Sequence, residues 1–214
     1  LEDGCGRATW LDPWSGEATQ ADLDEEGRVL LRLAAYGSSL LLCGTSAWDD
    51  AQAPRPPFQE NERELLRDWE LTLPGAELLP IEALDEEGRL PDWRDLEAAR
   101  YAAGPGSYTH LVTLPAPTGA QRRVIDLGAV EGLAEVLWDG KGIATLLAPP
   151  FEIDITALAS GGEHLLEVVL TPPLRNRLIG LALDGDPSAA QFDRRRDALA
   201  PAGLLGPVYL RLGK

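Results

Sequence analysis

Glycine and proline interrupt this chain so often that no long regular element fits between them. There are 22 Gly and 17 Pro in 214 residues. Between them stand about eight apolar runs of roughly 5 to 9 residues each. No amphipathic segment exceeds about two helical turns, too short for a helix that buries one face. Closely spaced short strands with turn signals between them build an antiparallel sandwich or barrel. "LLRDWELTLP" alternates through Trp69, Leu71 and Leu73, and "SYTHLVTLP" sets Tyr108, His110 and Val112 against Thr109, Leu111 and Thr113. "QRRVIDLGAV", "LAEVLWDGKGIATLLAPP", "RNRLIGLALDG" and "GPVYLRL" supply further runs, with an Asp-Gly hairpin signal at Asp139-Gly140. The expected class is all-β.

One stretch, "FEIDITALASGGEHLLEVVL" from Phe151 to Leu170, carries most of the local information. Ile153 and Ile155 alternate with Asp154 and Thr156, giving one apolar face. Thr156 can cap a single helical turn anchored by Leu158, and Gly161-Gly162 can turn the chain. "EHLLEVVL" then resumes as a strand. Strand, turn and return strand make a crossover between sheets. Asp154 reads as a turn-capping residue, because Asx side chains tie local backbone.

Three segments follow from composition. Positions 1–47 form a β-segment that includes the acidic turn "DEEG" and the run Val29-Leu30-Leu31-Arg32-Leu33, read as a strand buried on both faces. Two or three strands cannot cover their own apolar face, so this segment needs a partner. Positions 48–61 form a linker broken by Pro54, Pro56 and Pro57. Positions 62–214 hold the remaining strands. The chain contains no Met, so it reads as processed or excised from something longer.

The totals exclude several partners. Formal net charge is -16, and the one basic cluster, "DRRRD" at Arg194–Arg196, is flanked by Asp193 and Asp197. Nucleic acid and anionic membrane need clustered Lys and Arg, so neither is expected as a partner. No apolar run reaches the roughly 18 residues of a membrane-spanning helix. Cys5 and Cys43 permit one disulfide. Cys43 lies in the apolar run "SLLLCG" and reads as a buried reduced thiol.

Catalytic chemistry finds little purchase. Glycoside hydrolysis uses two carboxylates about 5 to 9.5 Å apart. Glu131 and Glu135 stand near Asp126, but "DLGAVEGLAEV" makes them solvent-facing residues of a strand and its turn. Only His110 and His164 are present, neither beside a Gly-x-Ser-x-Gly elbow, and His110 reads as a packed strand histidine. Zinc needs three or four close ligands, which two His and two distant Cys do not supply. The expectation is no catalytic residue, no metal ligand set and no cofactor. The loops "DGDPS" and "WDDAQ" could still offer oxygen ligands to a structural calcium. Gly104, Gly106 and Gly128 do not form a phosphate loop.

A family resemblance rests on the order of several motifs. "RYAAGPGSYTHLVTLP", "RRVIDLGAVEGLAEVLWDGKGIATLLAPPFEIDITALASGGEHLLEVVLTPPLRNRLIG" and "AGLLGPVYLRL" resemble the galactose-binding-like jelly roll of glycoside hydrolases. That domain occurs in family 2 enzymes and at the C-terminal end of large α-L-rhamnosidase-type enzymes. The resemblance covers roughly positions 62–214. The family's Asn-Gly turn is Asp139-Gly140 here, and its Gly-x-Asn is Gly162-Glu163-His164, so His164 replaces a turn amide. Positions 1–47, through "LRLAAYGSSLLL", resemble the last strands of the preceding domain.

The resemblance implies an antiparallel jelly-roll β-sandwich, with an extra N-terminal β-segment, that supports a catalytic domain of a parent hydrolase. It also raises carbohydrate binding. Trp138, beside Asp139-Gly140, and Trp93, in "LPDWRD", lie at expected turns where an exposed indole could meet a sugar, with Tyr101, Asn176 and Arg177 as companions. The alternative is that both indoles plug the ends of the sandwich, and that Asn176 and Arg177 anchor a loop. The competing roles for the whole chain are a free-standing carbohydrate-binding module and a protein-interaction domain.

Overall fold

A computed structural model describes the chain except residues 1–6, 14–15, 32, 34–37, 45–50, 54–55, 74–77, 82–84, 118, 120 and 196–197, and the side chains of 194–195. Two compact units result: Leu1–Phe58 with Ala148–Pro150, and Gln59–Leu147 with Phe151–Lys214.

The first unit contains β1 (Arg7–Leu11), β2 (Ala18–Gln20) and β3 (Leu40–Gly44), in the order β2-β1-β3. Both pairings are antiparallel. The acidic turn closes on itself, because Asp24 Oδ1 accepts from the Glu26 and Arg28 amides. Two expectations fail here. Leu30, Leu31 and Leu33 are exposed rather than buried on both faces, and only Val29 makes a bridge, to Leu23; Arg32 lies outside the described residues. Cys43 is exposed and disulfide-bonded, not a buried thiol. β3 is an edge strand of its three-stranded sheet, and all five of its residues are exposed, so its apolar sequence does not translate into burial.

The second unit is an all-β antiparallel sandwich. Its strands are β4 (Glu60–Leu65), β5 (Trp69–Thr72), β6 (Leu79–Ile81), β7 (Gly106–Leu114), β8 (Arg122–Asp126), β9 (Ala129–Glu131), β10 (Leu133–Trp138), β11 (Lys141–Leu146), β12 (Glu152–Asp154), β13 (Gly162–Thr171), β14 (Gly203–Gly206) and β15 (Tyr209–Gly213). One sheet runs β11-β10-β13-β7-β5-β6, the other β12-β8-β15-β4, and β14-β9 form a two-stranded ribbon. Register explains the core. Val136, Val168, Tyr108, Leu71 and Leu79 form one cross-strand row of the larger sheet. In the smaller sheet Ile153, Ile125 and Leu210 align. Residues of both rows belong to a single buried cluster, as inward alternation on two facing sheets requires.

The stretch 151–170 is a crossover: β12 lies in the smaller sheet and β13 in the larger. Asp154 Oδ1 accepts from the Thr156 amide, the expected turn cap. The turn is held from below by Arg123, whose guanidinium is buried and donates to the carbonyls of Ala159 and Pro115. Leu158 is not the anchor; it is exposed, while Ile155 and Ala159 are buried. Position, not hydrophobicity, decides this, since the turn aims 155 and 159 inward together.

One run was expected as a strand and is a helix. α1 spans Arg175–Leu183, and its buried positions are Asn176, Ile179 and Gly180. That spacing is helical, and the Leu, Arg and Ala content of "RNRLIGLAL" favours helix over strand.

Leu166 sits in the inward face of β13, fully buried between Trp138 and His110 in register. Leu166→Ala is expected to lower unfolding stability by about 2 to 5 kcal/mol, measured as a shifted urea midpoint. A change below about 1 kcal/mol would place this side chain outside the core.

Candidate functional site

Trp93 lies in a short 3-10 turn, Trp93–Asp95, capped by Asp92, whose carboxylate accepts from the Arg94 amide at 2.8 Å. The turn is sewn to the chain end, because the Trp93 amide donates to Ala202 O at 2.9 Å. The indole is 1% exposed. Its Nε1–H donates to Tyr108 Oη at 2.5 Å, and the Leu204 amide donates to the same oxygen at 3.3 Å. Desolvation pushes the Tyr108 phenol up to about 12, so it stays a neutral hydroxyl throughout the ordinary range. Two glycines make room for the ring: a Cβ at Gly106 would stand 2.8 Å from Trp93 Cη2, and one at Gly203 would stand 2.7 Å from Cδ1. Gly203 also has φ +122, which side chains rarely adopt.

Trp138 is likewise inward, 4% exposed, on the last position of β10. It stacks on His164 with ring centroids 4.9 Å apart. Both indoles are thus buried in the core of the second unit.

Asn176, Tyr101 and Arg177 gather at α1. Asn176 is buried and pairs reciprocally with Ala200, donating to its carbonyl and accepting from its amide, both at 2.8 Å. Tyr101 packs on Gly180, where a Cβ would lie 2.8 Å from the ring. Arg177 is half-buried and its charge holds the Asp186 carboxyl low, after the Ser188 hydroxyl and amide. The structure thus brings Trp93 and Asn176 to the segment 200–203, with Trp138 elsewhere, at the β10–β11 turn.

Two features escaped the sequence reading. The first is a clasp around His164, which is a buried strand residue rather than a turn residue. Its Nδ1 lies 2.8 Å from Asp139 Oδ2, and Asp139 Oδ1 accepts from the Leu165 amide at 2.9 Å. Its Nε2 faces Ser160 twice, the carbonyl at 3.2 Å and the hydroxyl at 3.4 Å. Ser160, His164 and Asp139 stand in contact one after the other, but the ring's second nitrogen is closer to the Ser160 carbonyl than to its hydroxyl. The chemistry is a tie between two turns. Asp139 and Gly140 both have positive φ, 51° and 76°, the hairpin geometry that Asp-Gly signals.

The second is an open cleft of about 600 Å³ lined by Glu135, Val136, Leu137, Gly142, Ile143, Ala144, Thr145 and Val169. Its lining includes the register shift between Val136 and Leu137 in the β10–β11 pairing, a feature only visible once strands are paired. The cleft holds one carboxylate, Glu135. Asp126 is engaged elsewhere, by the Gly128 amide and by Arg211. Among the described residues no three His, Cys, Asp or Glu side chains converge as a metal site. In "DGDPS" Asp186 accepts instead from Ser188, and residues 48–50 of "WDDAQ" lie outside the described residues, as do 196–197 of "DRRRD".

No protein-family model matches the chain. The chain is similar to a Formosa agariphila protein named "Putative beta-glucuronidase", at 26% identity over 241 aligned residues, covering 97% of this chain and 18% of that protein. It is also similar to the solved structure of a rhamnosidase from Novosphingobium sp. PP1Y, with a TM-score of 0.76 and 21% identity over 99% of this chain and 21% of that one. The chain spans about a fifth of the length of these relatives. Both relatives bear glycoside-hydrolase names, and the likeness is to a part of each.

Hydrogen bonds from His164 and then from the Leu165 amide hold the Asp139 carboxyl below its ordinary value of 3.8. A carboxyl depressed in the folded state stabilises above its unfolded pKa, and that stability is lost as pH falls through the folded one. Asp139→Asn keeps a residue that tolerates positive φ. It should be less stable than the parent at neutral pH, and the difference should shrink as the pH drops below 3.8. Thermal unfolding of both proteins between neutral and acid pH reads this directly; parallel profiles would mean that the clasp does not hold Asp139 ionised.

Proposed function

We propose that this chain is a non-catalytic accessory β-sandwich of a glycoside hydrolase, of the galactose-binding-like kind found in rhamnosidase-type enzymes. In this reading positions 62–214 are the sandwich, 48–61 the linker and 1–47 the end of a preceding domain, and the partner is the parent's catalytic domain. The observation that carries it is the length relation: nearly all of this chain aligns to about a fifth of each hydrolase-named relative. A piece of that size supports an enzyme rather than constituting one.

A docking role is favoured by Leu111 and Leu165, which face each other across β7 and β13 and are 64% and 37% exposed on the outer face of the larger sheet. Paired exposed leucines at the centre of a sheet face suit contact with another domain.

Purified chain should leave nitrophenyl rhamnosides and glucuronides at the enzyme-free rate; turnover would overturn the accessory reading. The reading frame around the coding sequence should encode a catalytic domain in the same polypeptide, and a free-standing frame would favour a separate module. Trp93→Ala should cost about 3 to 5 kcal/mol of stability, seen by urea unfolding. A well-folded Trp93→Ala protein that had lost affinity for a sugar in calorimetry would instead restore the binding role.

A further inference from the structure

Among the first unit's described residues only Ala8, Thr9 and Ala51 are buried, while Leu30, Leu31, Leu33, Leu40, Leu41 and Leu42 are 39–70% exposed. A three-stranded sheet of this size does not cover enough apolar surface to be stable by packing alone. Cys43 on β3 is disulfide-bonded. The chain has one other cysteine, Cys5, which lies outside the described residues. Its place in sequence is two residues ahead of β1, and β1 puts Ala8 opposite Cys43. Both cysteines belong to the first unit and none to the sandwich.

We propose that the first unit is redox-conditional: a Cys5–Cys43 disulfide holds β3 to β1, and reducing it releases the unit while the sandwich stays folded. The crosslink closes a loop of about 40 residues, long enough for a large restriction of the unfolded chain. Cys43 is exposed, so a reductant can reach it. The reductant is a dithiol. Its thiolate attacks one sulfur of the protein disulfide, giving a mixed disulfide and releasing one cysteine thiolate. Its second thiol then displaces the other cysteine and closes as a cyclic disulfide. Two electrons and two protons pass to the protein, leaving two thiols. A unit built this way matures in an oxidising compartment. This inference is independent of the accessory reading.

The test is hydrogen exchange by mass spectrometry on the full 214-residue chain, oxidised and after dithiothreitol with alkylation. Peptides across β1 and β3 should exchange on the order of a hundredfold faster once reduced, with peptides across β7 and β13 unchanged. Cys43→Ser should show the fast pattern without reductant. Three results would overturn the proposal: unchanged protection of β1 and β3 after both cysteines are shown alkylated by mass, full exchange of the unit already in the oxidised chain, or a disulfide-linked dimer on a non-reducing gel.

Discussion

The hydrogen bond from Trp93 to Tyr108 is the interaction on which the closed end of the sandwich depends. Tyr108 stands in the central row of the larger sheet, and its hydroxyl receives Trp93 Nε1 and the Leu204 amide. Through that oxygen the 3-10 turn, strand β7 and strand β14 meet. Gly106 and Gly203 are glycines because the indole occupies the space a side chain would need. Deep burial makes such a polar knot costly to leave half-made, since each unpaired donor keeps its full desolvation penalty. Trp93 and Trp138, the two indoles that looked available for a ligand, are both buried.

Much of the fold was legible. The alternation at Trp69, Leu71 and Leu73 and at Tyr108, His110 and Val112 gave both strands with their faces, and Asp139-Gly140 gave its hairpin. The crossover at 151–170 was readable because period-two alternation, a cap and a double glycine agree. The failures share a physical cause. Which of the two roles offered for Trp93 brings burial was not readable, because its space depends on Gly106 and Gly203, which no local window joins to it. Exposure of Leu30, Leu31 and Cys43 depends on what packs against them in three dimensions, which an apolar run does not report. The helix at 175–183 was hidden by its length, too short for periodicity to separate from a strand.

The candidate site was legible in less degree. Asn176 anchors a loop through Ala200, one of the two roles its position suggested. The His164 clasp was out of reach, because its partners Asp139 and Ser160 come from two turns joined only by strand pairing. The lining of the cleft at β10–β11 includes a register shift, and such shifts leave little trace in composition. Leu111 and Leu165, paired across β7 and β13, are both exposed on the outer face of the larger sheet, as the alternation with buried Val112 and Leu166 requires.

If the aromatic core is spent on the fold, Trp93 and Tyr108 must be energetically coupled. A double-mutant cycle with Trp93→Phe and Tyr108→Phe, read by urea unfolding of the four proteins, measures that coupling without a cavity of indole size. The account predicts a coupling of about 1 kcal/mol or more. Additive effects, with no coupling between the two positions, would contradict it.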